Sequence, residues 1–344
     1  MGEAVNVLDC ERLASYLEAH VEGFQGPISA EKFAGGQSNP TFRIDASSGA
    51  YVLRRKPPGK LLKSAHAVDR EFRVMSALQG SDVPVADPLH LCEDDSVIGS
   101  MFYLMSFKKG RVFWDPALPE LAVEDRGAVY DEMNRVLAAL HSIDVDAAGL
   151  TDFGKPGSYF SRQVSRWGRQ YRDSETETLA DMDRLIDWVD ANTPRDDGRV
   201  ALVHGDYRID NLIFDPASPK VIAVVDWELS TLGHPFSDLA YQCMQWRLPH
   251  DGLFRGLAGL DRAAIGVPTE EAYVAQYCER MGLDRIDDWT FCLAFSFFRL
   301  AAILQGVKKR ALDGNASNPE RALEMGTLVP ELARMAVELI ERDV

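Results

Sequence analysis

The sequence predicts an α+β protein of two lobes: a small β-rich N-terminal lobe over residues 1–107 and a larger, mostly helical lobe over residues 108–344. Three observations carry the prediction. Short strand-like runs bounded by Gly, Ser and Pro fill residues 33–105. From Leu118 onward, apolar residues recur at helical spacing, as at Val129, Met133, Val136, Leu137 and Leu140. The length, 344 residues, exceeds what one core usually holds, so about two domains is the prior.

The elements follow in order. Residues 8–22 read as an amphipathic helix, with Leu13, Leu17 and Val21 on one side. Residues 33–51 read as a hairpin, with a Gly-rich turn at Gly35-Gly36, a strand over 41–45 and a turn at Ser47-Ser48-Gly49. A strand over 51–54 completes it, and a helix is expected over 64–78. Residues 83–88 are a Pro-rich connector, and 89–92 and 101–105 are two more strands around Gly99. Residues 106–110 link the lobes. The aromatic residues between 158 and 192 read as core. Further helices are expected from Gly233 to Ala240 and over 271–281, 289–310 and 319–341.

Residues 201–228 carry the chemistry. An apolar run, Ala201-Leu202-Val203, delivers His204-Gly205-Asp206, and Asn211 follows after four residues. A strand over 212–214, a turn at 215–219 and a strand over 221–225 lead to Asp226. Phosphoryl transfer needs a carboxylate to accept the proton of the attacking hydroxyl. It also needs an amide oxygen and a second carboxylate to hold Mg²⁺ on nucleotide phosphates. Asp206 fits the first role, flanked by His204 and Arg208 as further catalytic candidates; Asn211 and Asp226 fit the second. The kinase catalytic loop has the same Asp-to-Asn spacing, but with Arg where Gly205 stands and Asp-Phe-Gly where Asp226-Trp227-Glu228 stands. Asp152-Phe153-Gly154 matches that triplet in letters only, because it precedes the catalytic loop.

His204-Gly205-Asp206, Asn211 and Asp226-Trp227-Glu228 together resemble the aminoglycoside phosphotransferase and choline-kinase-like family. Residues 35–40, 51–59, 65–71 and 305–307 resemble one subgroup of it, the kinase-like domain associated with acyl-CoA dehydrogenases. The resemblance implies a protein-kinase-like fold, ATP and Mg²⁺ as cofactors, and a hydroxylated small-molecule acceptor. It implies that the Gly-rich hairpin covers the phosphates, with Gly36, Ser38 and Asn39 as nucleotide contacts. Arg54, with Lys56 a nearby competitor, takes the place of the kinase lysine and is expected to pair with Glu71, and Ser106 and Phe107 lie where adenine binds. Asp238 is expected to support the catalytic loop.

For the acceptor, the helix over 289–310 and its neighbourhood offer Arg299, Gln305 and Arg310, and Trp227 and Glu228 follow the metal-ligand candidate directly. A basic-leaning wall suits an anionic acceptor, and the subgroup implies a hydroxyacyl-CoA or related hydroxy acid. Aminoglycosides, choline and other metabolites are alternatives, as is a nucleotide-binding pseudokinase; the intact Asp206, Asn211 and Asp226 argue against the last. An Arg299 inside an apolar run must meet either a carboxylate of the lobe or the acceptor itself.

Composition narrows the rest. The formal net charge of −16 argues against nonspecific nucleic-acid binding. Five scattered cysteines without a CxxC pair argue against a disulfide framework and fit a reducing cytoplasm. No signal-peptide pattern is read at the N-terminus. The apolar run over 289–307 imitates a membrane span, but the central Arg299 favours a buried helix, so no membrane partner is expected. A homodimer is the one protein partner left open.

Overall fold

The computed structural model describes residues 8–33, 39–57, 67–316 and 318–342. Helix α1 (Cys10–His20) is followed by β1 (Ile28–Lys32), β2 (Thr41–Ala46) and β3 (Gly49–Arg55), then α2 (Val68–Ala77), β4 (Pro88–Cys92) and β5 (Phe102–Ser106). Next come α3 (Val123–His141), α4 (Tyr159–Ser174) and α5 (Ala180–Ala191). Four short strands follow: β6 (Ala201–Val203), β7 (Leu212–Phe214), β8 (Val221–Val224) and β9 (Thr231–Gly233). The helices α6 (Phe236–Cys243), α7 (Glu270–Met281), α8 (Trp289–Leu312), α9 (Pro319–Gly326) and α10 (Val329–Arg342) complete the order. β1 has no counterpart in the sequence reading: Ile28 and Ala30 alternate with Ser29 and Glu31, but two apolar residues are a short signal.

These elements pack as two compact units. The first comprises Met1–Val112, Asp146–Leu150 and Asn211–Ser230. The second comprises Phe113–Val145, Thr151–Asp210 and Thr231–Val344. Residues 211–230, which the sequence reading placed with the second lobe, thus pack with the first unit. Backbone hydrogen bonds explain why: Val224 N–H donates to the Pro84 carbonyl at 2.8 Å, and Arg111 and Phe214 exchange two bonds of 2.8 Å.

The first unit is built on an antiparallel sheet in the order β1-β2-β3-β5-β4. Alternation puts Phe42, Ile44, Leu53, Phe102 and Leu104 on one face, where they pack with Leu13 and Leu17 of α1. Glycine is required at Gly110: a Cβ there would lie 2.3 Å from the Phe214 carbonyl oxygen. The second unit is helical and centred on α8, which packs against α4, α5, α6, α9 and α10. α8 is long and apolar enough to cross a membrane, yet 83% of its most apolar window is buried inside the protein. That window's apolar character is therefore accounted for by core packing.

Candidate active site

In the first unit, β7 and β8 pair with Leu212 opposite Val224. Just beyond the pair, Val225 N–H donates to the Asn211 carbonyl at 3.0 Å. This antiparallel step brings Asn211 alongside Asp226, and both line one cavity of ≈ 410 Å³. Asp226 has left-handed backbone geometry, φ 66° and ψ 56°. Aspartate tolerates that region at a cost of about 1–2 kcal/mol, the sort of local strain that collects at functional positions.

Arg54 faces the same cavity from β3. Its Nε lies 2.8 Å from Glu71, so the expected ion pair is present, and its Nη2 lies 2.7 Å from Asp226 and 3.4 Å from Glu228. Glu71 is buried and also accepts from Asn39 Nδ2 at 2.8 Å and from the Tyr103 hydroxyl at 3.0 Å. Burial works against the Arg54 charge, but the Glu71, Asp226 and Glu228 carboxylates outweigh it and hold its pKa above the usual arginine value. The cavity's other walls are mostly apolar, with Val52, Met105, Ile213 and Trp227, and also carry Lys108 and Lys109.

In the second unit, β6 pairs with β9 and runs into His204-Gly205-Asp206. The buried Asp238 of α6 accepts His204 N–H at 2.6 Å and Gly205 N–H at 2.9 Å. Gly205 has φ +84°, which an arginine, the kinase residue at this position, would adopt only with strain. Asp206 N–H donates to His204 Nδ1 at 3.2 Å, which makes that nitrogen the acceptor. Arg299 Nη2 donates to the Gly205 carbonyl at 2.6 Å, and its guanidinium lies over the rings of Trp167 and Tyr241. The Tyr241 hydroxyl hydrogen-bonds the Asp206 carboxylate. Arg208 Nε stands 3.8 Å from Asp206, and Arg208 also pairs with Asp210. Asp206 is thus held by its own loop, by α6 and by α8, with its carboxylate only partly covered.

Several expected roles change. His204 is fully buried, and its ring shapes the loop, so it positions Asp206 and is not itself a reacting group. Asn39 braces Glu71 instead of reaching for phosphate. Gly36 and Ser38 lie outside the described residues. Ser106 and Phe107 line the nucleotide-sized cavity; the Ser106 hydroxyl is engaged with Asp87 at 2.7 Å, and the Phe107 ring lies under Arg43 at 4.8 Å. Trp227, expected against the acceptor, is buried in the first unit, where it lines the Arg54 cavity and its indole N–H donates to the Val224 carbonyl at 3.0 Å. Glu228 is likewise drawn to Arg54. Arg299 meets a backbone carbonyl, with no carboxylate partner among the described residues. Gln305 is buried and donates to the Ser174 carbonyl at 2.7 Å and to Thr176 Oγ1 at 3.0 Å, fastening the end of α4. Arg310 is exposed on the last turn of α8.

Residues around the two sites that sequence reasoning missed include Tyr103 and Tyr241. Tyr241 had a usable signal, since it lies three residues after Asp238 on one helix.

Two expectations follow. Arg299→Met removes a buried, charge-assisted hydrogen bond worth about 1.5–3 kcal/mol. The variant is expected to melt lower and to lose kcat roughly tenfold or more, with acceptor KM within about twofold. A raised acceptor KM at unchanged kcat would instead place Arg299 against the acceptor. For Asp238, burial opposes the charged form, but the His141 pair and the Gly205 N–H outweigh it and hold its pKa below the usual aspartate value. A depressed folded pKa stabilises the protein above the unfolded value of about 3.9, and the contribution is lost as pH falls through the lower folded value. Melting curves between about pH 7 and pH 3 are expected to lose that acid-side slope in Asp238→Asn. An identical slope in the two proteins would contradict the assignment.

The first unit carries the Arg54–Glu71 ion pair beside Asn211 and Asp226, and the second carries the pinned Asp206 loop. The profile of the phosphotransferase enzyme family APH matches residues 29–275. Mouse acyl-CoA dehydrogenase family member 10 is 47% identical over 333 residues, covering 95% of this chain and 31% of the mouse protein. The chain spans less than half the length of the curated relatives it matches. A crystal structure from Ralstonia eutropha, whose assignment as an aminoglycoside phosphotransferase is provisional, is 51% identical with a TM-score of 0.89; the match covers 98% of this chain and 99% of that one. The apo form of a thermostable mutant of aminoglycoside phosphotransferase APH(4)-Ia shares the fold at a TM-score of 0.63 and 14% identity, over 96% of this chain and 98% of that one. The chain belongs to the APH phosphotransferase family.

Proposed function

We propose that this chain transfers the γ-phosphoryl group of ATP, with Mg²⁺, to a hydroxyl of an anionic small molecule such as a hydroxyacyl-CoA or a hydroxy acid. The observation that carries the reading is the pinned Asp206. Its backbone is fastened at three successive residues, and its carboxylate stands beside Tyr241 and Arg208. Those two side chains line a cavity of ≈ 340 Å³ within the second unit, at the small end of the ligand-pocket range of about 300–1,000 Å³.

The donor set fits Mg²⁺. Asn211 and Asp226 offer two oxygen ligands on one cavity wall, as Mg²⁺ takes when phosphates and waters complete its shell. When bound, the ion neutralises charge on the nucleotide phosphates. The apolar walls around Val52, Met105 and Ile213 suit a purine, and Arg54 offers a guanidinium to phosphate oxygens.

Asp206 accepts the proton of the acceptor hydroxyl as that oxygen bonds to the γ-phosphorus. The bond from phosphorus to the bridging oxygen breaks, and its electron pair leaves on ADP. Tyr241 and Arg208 keep the carboxylate aimed. A polycationic aminoglycoside is disfavoured, because the cavity lining carries Arg208, Arg255 and Arg321 against Asp210. The names of the relatives, acyl-CoA dehydrogenase family members, support an acyl-CoA acceptor. A kinetic comparison of hydroxyacyl-CoA, hydroxy-acid and aminoglycoside acceptors tests the reading; transfer to the aminoglycoside alone would reverse it.

A further inference from the structure

The cavity beside Asp206 has two kinds of wall. Met244, Leu248 and Leu300 are buried and apolar. Facing solvent are Arg255, whose side chain is 60% exposed, and Arg321, at 43%, together with Trp114, the most exposed large apolar side chain among the described residues at 74%. Arg208 is held by Asp206 and Asp210. Arg255 directs Nη1 to Asp115 at 3.0 Å, and Arg321 directs Nη1 to Glu324 at 2.5 Å. A guanidinium has five N–H donors, so one carboxylate partner does not exhaust it. Two exposed guanidiniums on a cavity with an apolar floor match a ligand that joins a hydrocarbon segment to an anion. Neither arginine lies in the helix where the sequence placed the cationic wall.

We infer that Arg255 and Arg321 are specificity-determining residues: they hold an anionic group of the acceptor while its hydrocarbon segment lies on Met244, Leu248 and Leu300. This rests on the acceptor reading above. The anion can be the carboxylate of a free hydroxy acid or a phosphate of a CoA thioester. Both are oxyanions that accept forked N–H donors.

The test is steady-state kinetics with three probes: 4-hydroxydecanoate, its CoA thioester and its neutral primary amide. Arg255→Gln, Arg321→Gln and the double variant are compared with wild type. Arg334→Gln, a change to an exposed α10 residue, serves as control. Each single variant is expected to raise KM for an anionic probe about three- to fivefold, the upper end for an exposed charged contact, and the double variant to raise it further. The kcat, the ATP KM and the KM for the amide are expected to stay within about twofold, as are all parameters of Arg334→Gln. Arg321→Lys keeps charge but not the fork, and is expected to fall between wild type and Arg321→Gln. An effect on the acid alone identifies the carboxylate as the anion, and an effect on the thioester alone identifies the CoA phosphates. If wild type turns over the probes and the variants leave both anionic KM values unchanged, or raise the amide KM equally, the inference is wrong while the acceptor reading stands. If wild type phosphorylates none of the three, the acceptor reading itself is overturned.

Discussion

Asp206→Asn is expected to bind MgATP like wild type and to lose phosphoryl transfer by about 10²–10⁴-fold, the usual cost of removing a general base. The asparagine is nearly isosteric, so the backbone bonds from His204, Gly205 and Asp206 remain. What disappears is the basic carboxylate oxygen that would take the acceptor proton. Calorimetry reports the nucleotide affinity and a coupled ADP assay reports the rate. Near-wild-type turnover would remove Asp206 from the reaction.

Asp226→Ala is expected to abolish Mg²⁺-dependent nucleotide binding. Two effects add. The carboxylate that would share the ion with the phosphates is gone, and Arg54 loses a partner at 2.7 Å. Asn211→Ala is expected to weaken binding less, because water can replace one neutral ligand. The variant at Asp226 also leaves the left-handed backbone to alanine, which costs about another 1 kcal/mol in folding. Asp226→Asn, which keeps a residue tolerant of that conformation, separates loss of the ligand from loss of stability. Equal MgATP affinity in wild type and Asp226→Asn would contradict the metal assignment.

Local chemistry was legible in the sequence, and long-range partnership was not. Asn211 could be set beside Asp226 because the two flank one short hairpin, where covalent spacing limits their geometry. Arg54 and Asp226 are 172 residues apart, and no local pattern reports their pairing. The apolar run around Arg299 announced a buried guanidinium that needed a partner. It did not say that the partner is a carbonyl 94 residues away. Gln305 was misread for the same reason: helical periodicity says which side of a helix is buried, but not what it meets. Asn39 and Trp227 lie beside functional residues in sequence, yet burial turned both side chains to structural bonds. Arg255 sits in an irregular segment and Arg321 in the first turns of a short helix, where periodicity carries little information.

Phosphorus NMR on wild-type enzyme with MgATP and 4-hydroxydecanoyl-CoA tests the central claim most directly. One phosphate monoester on the acceptor hydroxyl should appear for each ADP formed. ADP accompanied only by inorganic phosphate, or MgATP left intact across the hydroxylated acceptors, would contradict phosphoryl transfer to a hydroxyl through Asp206.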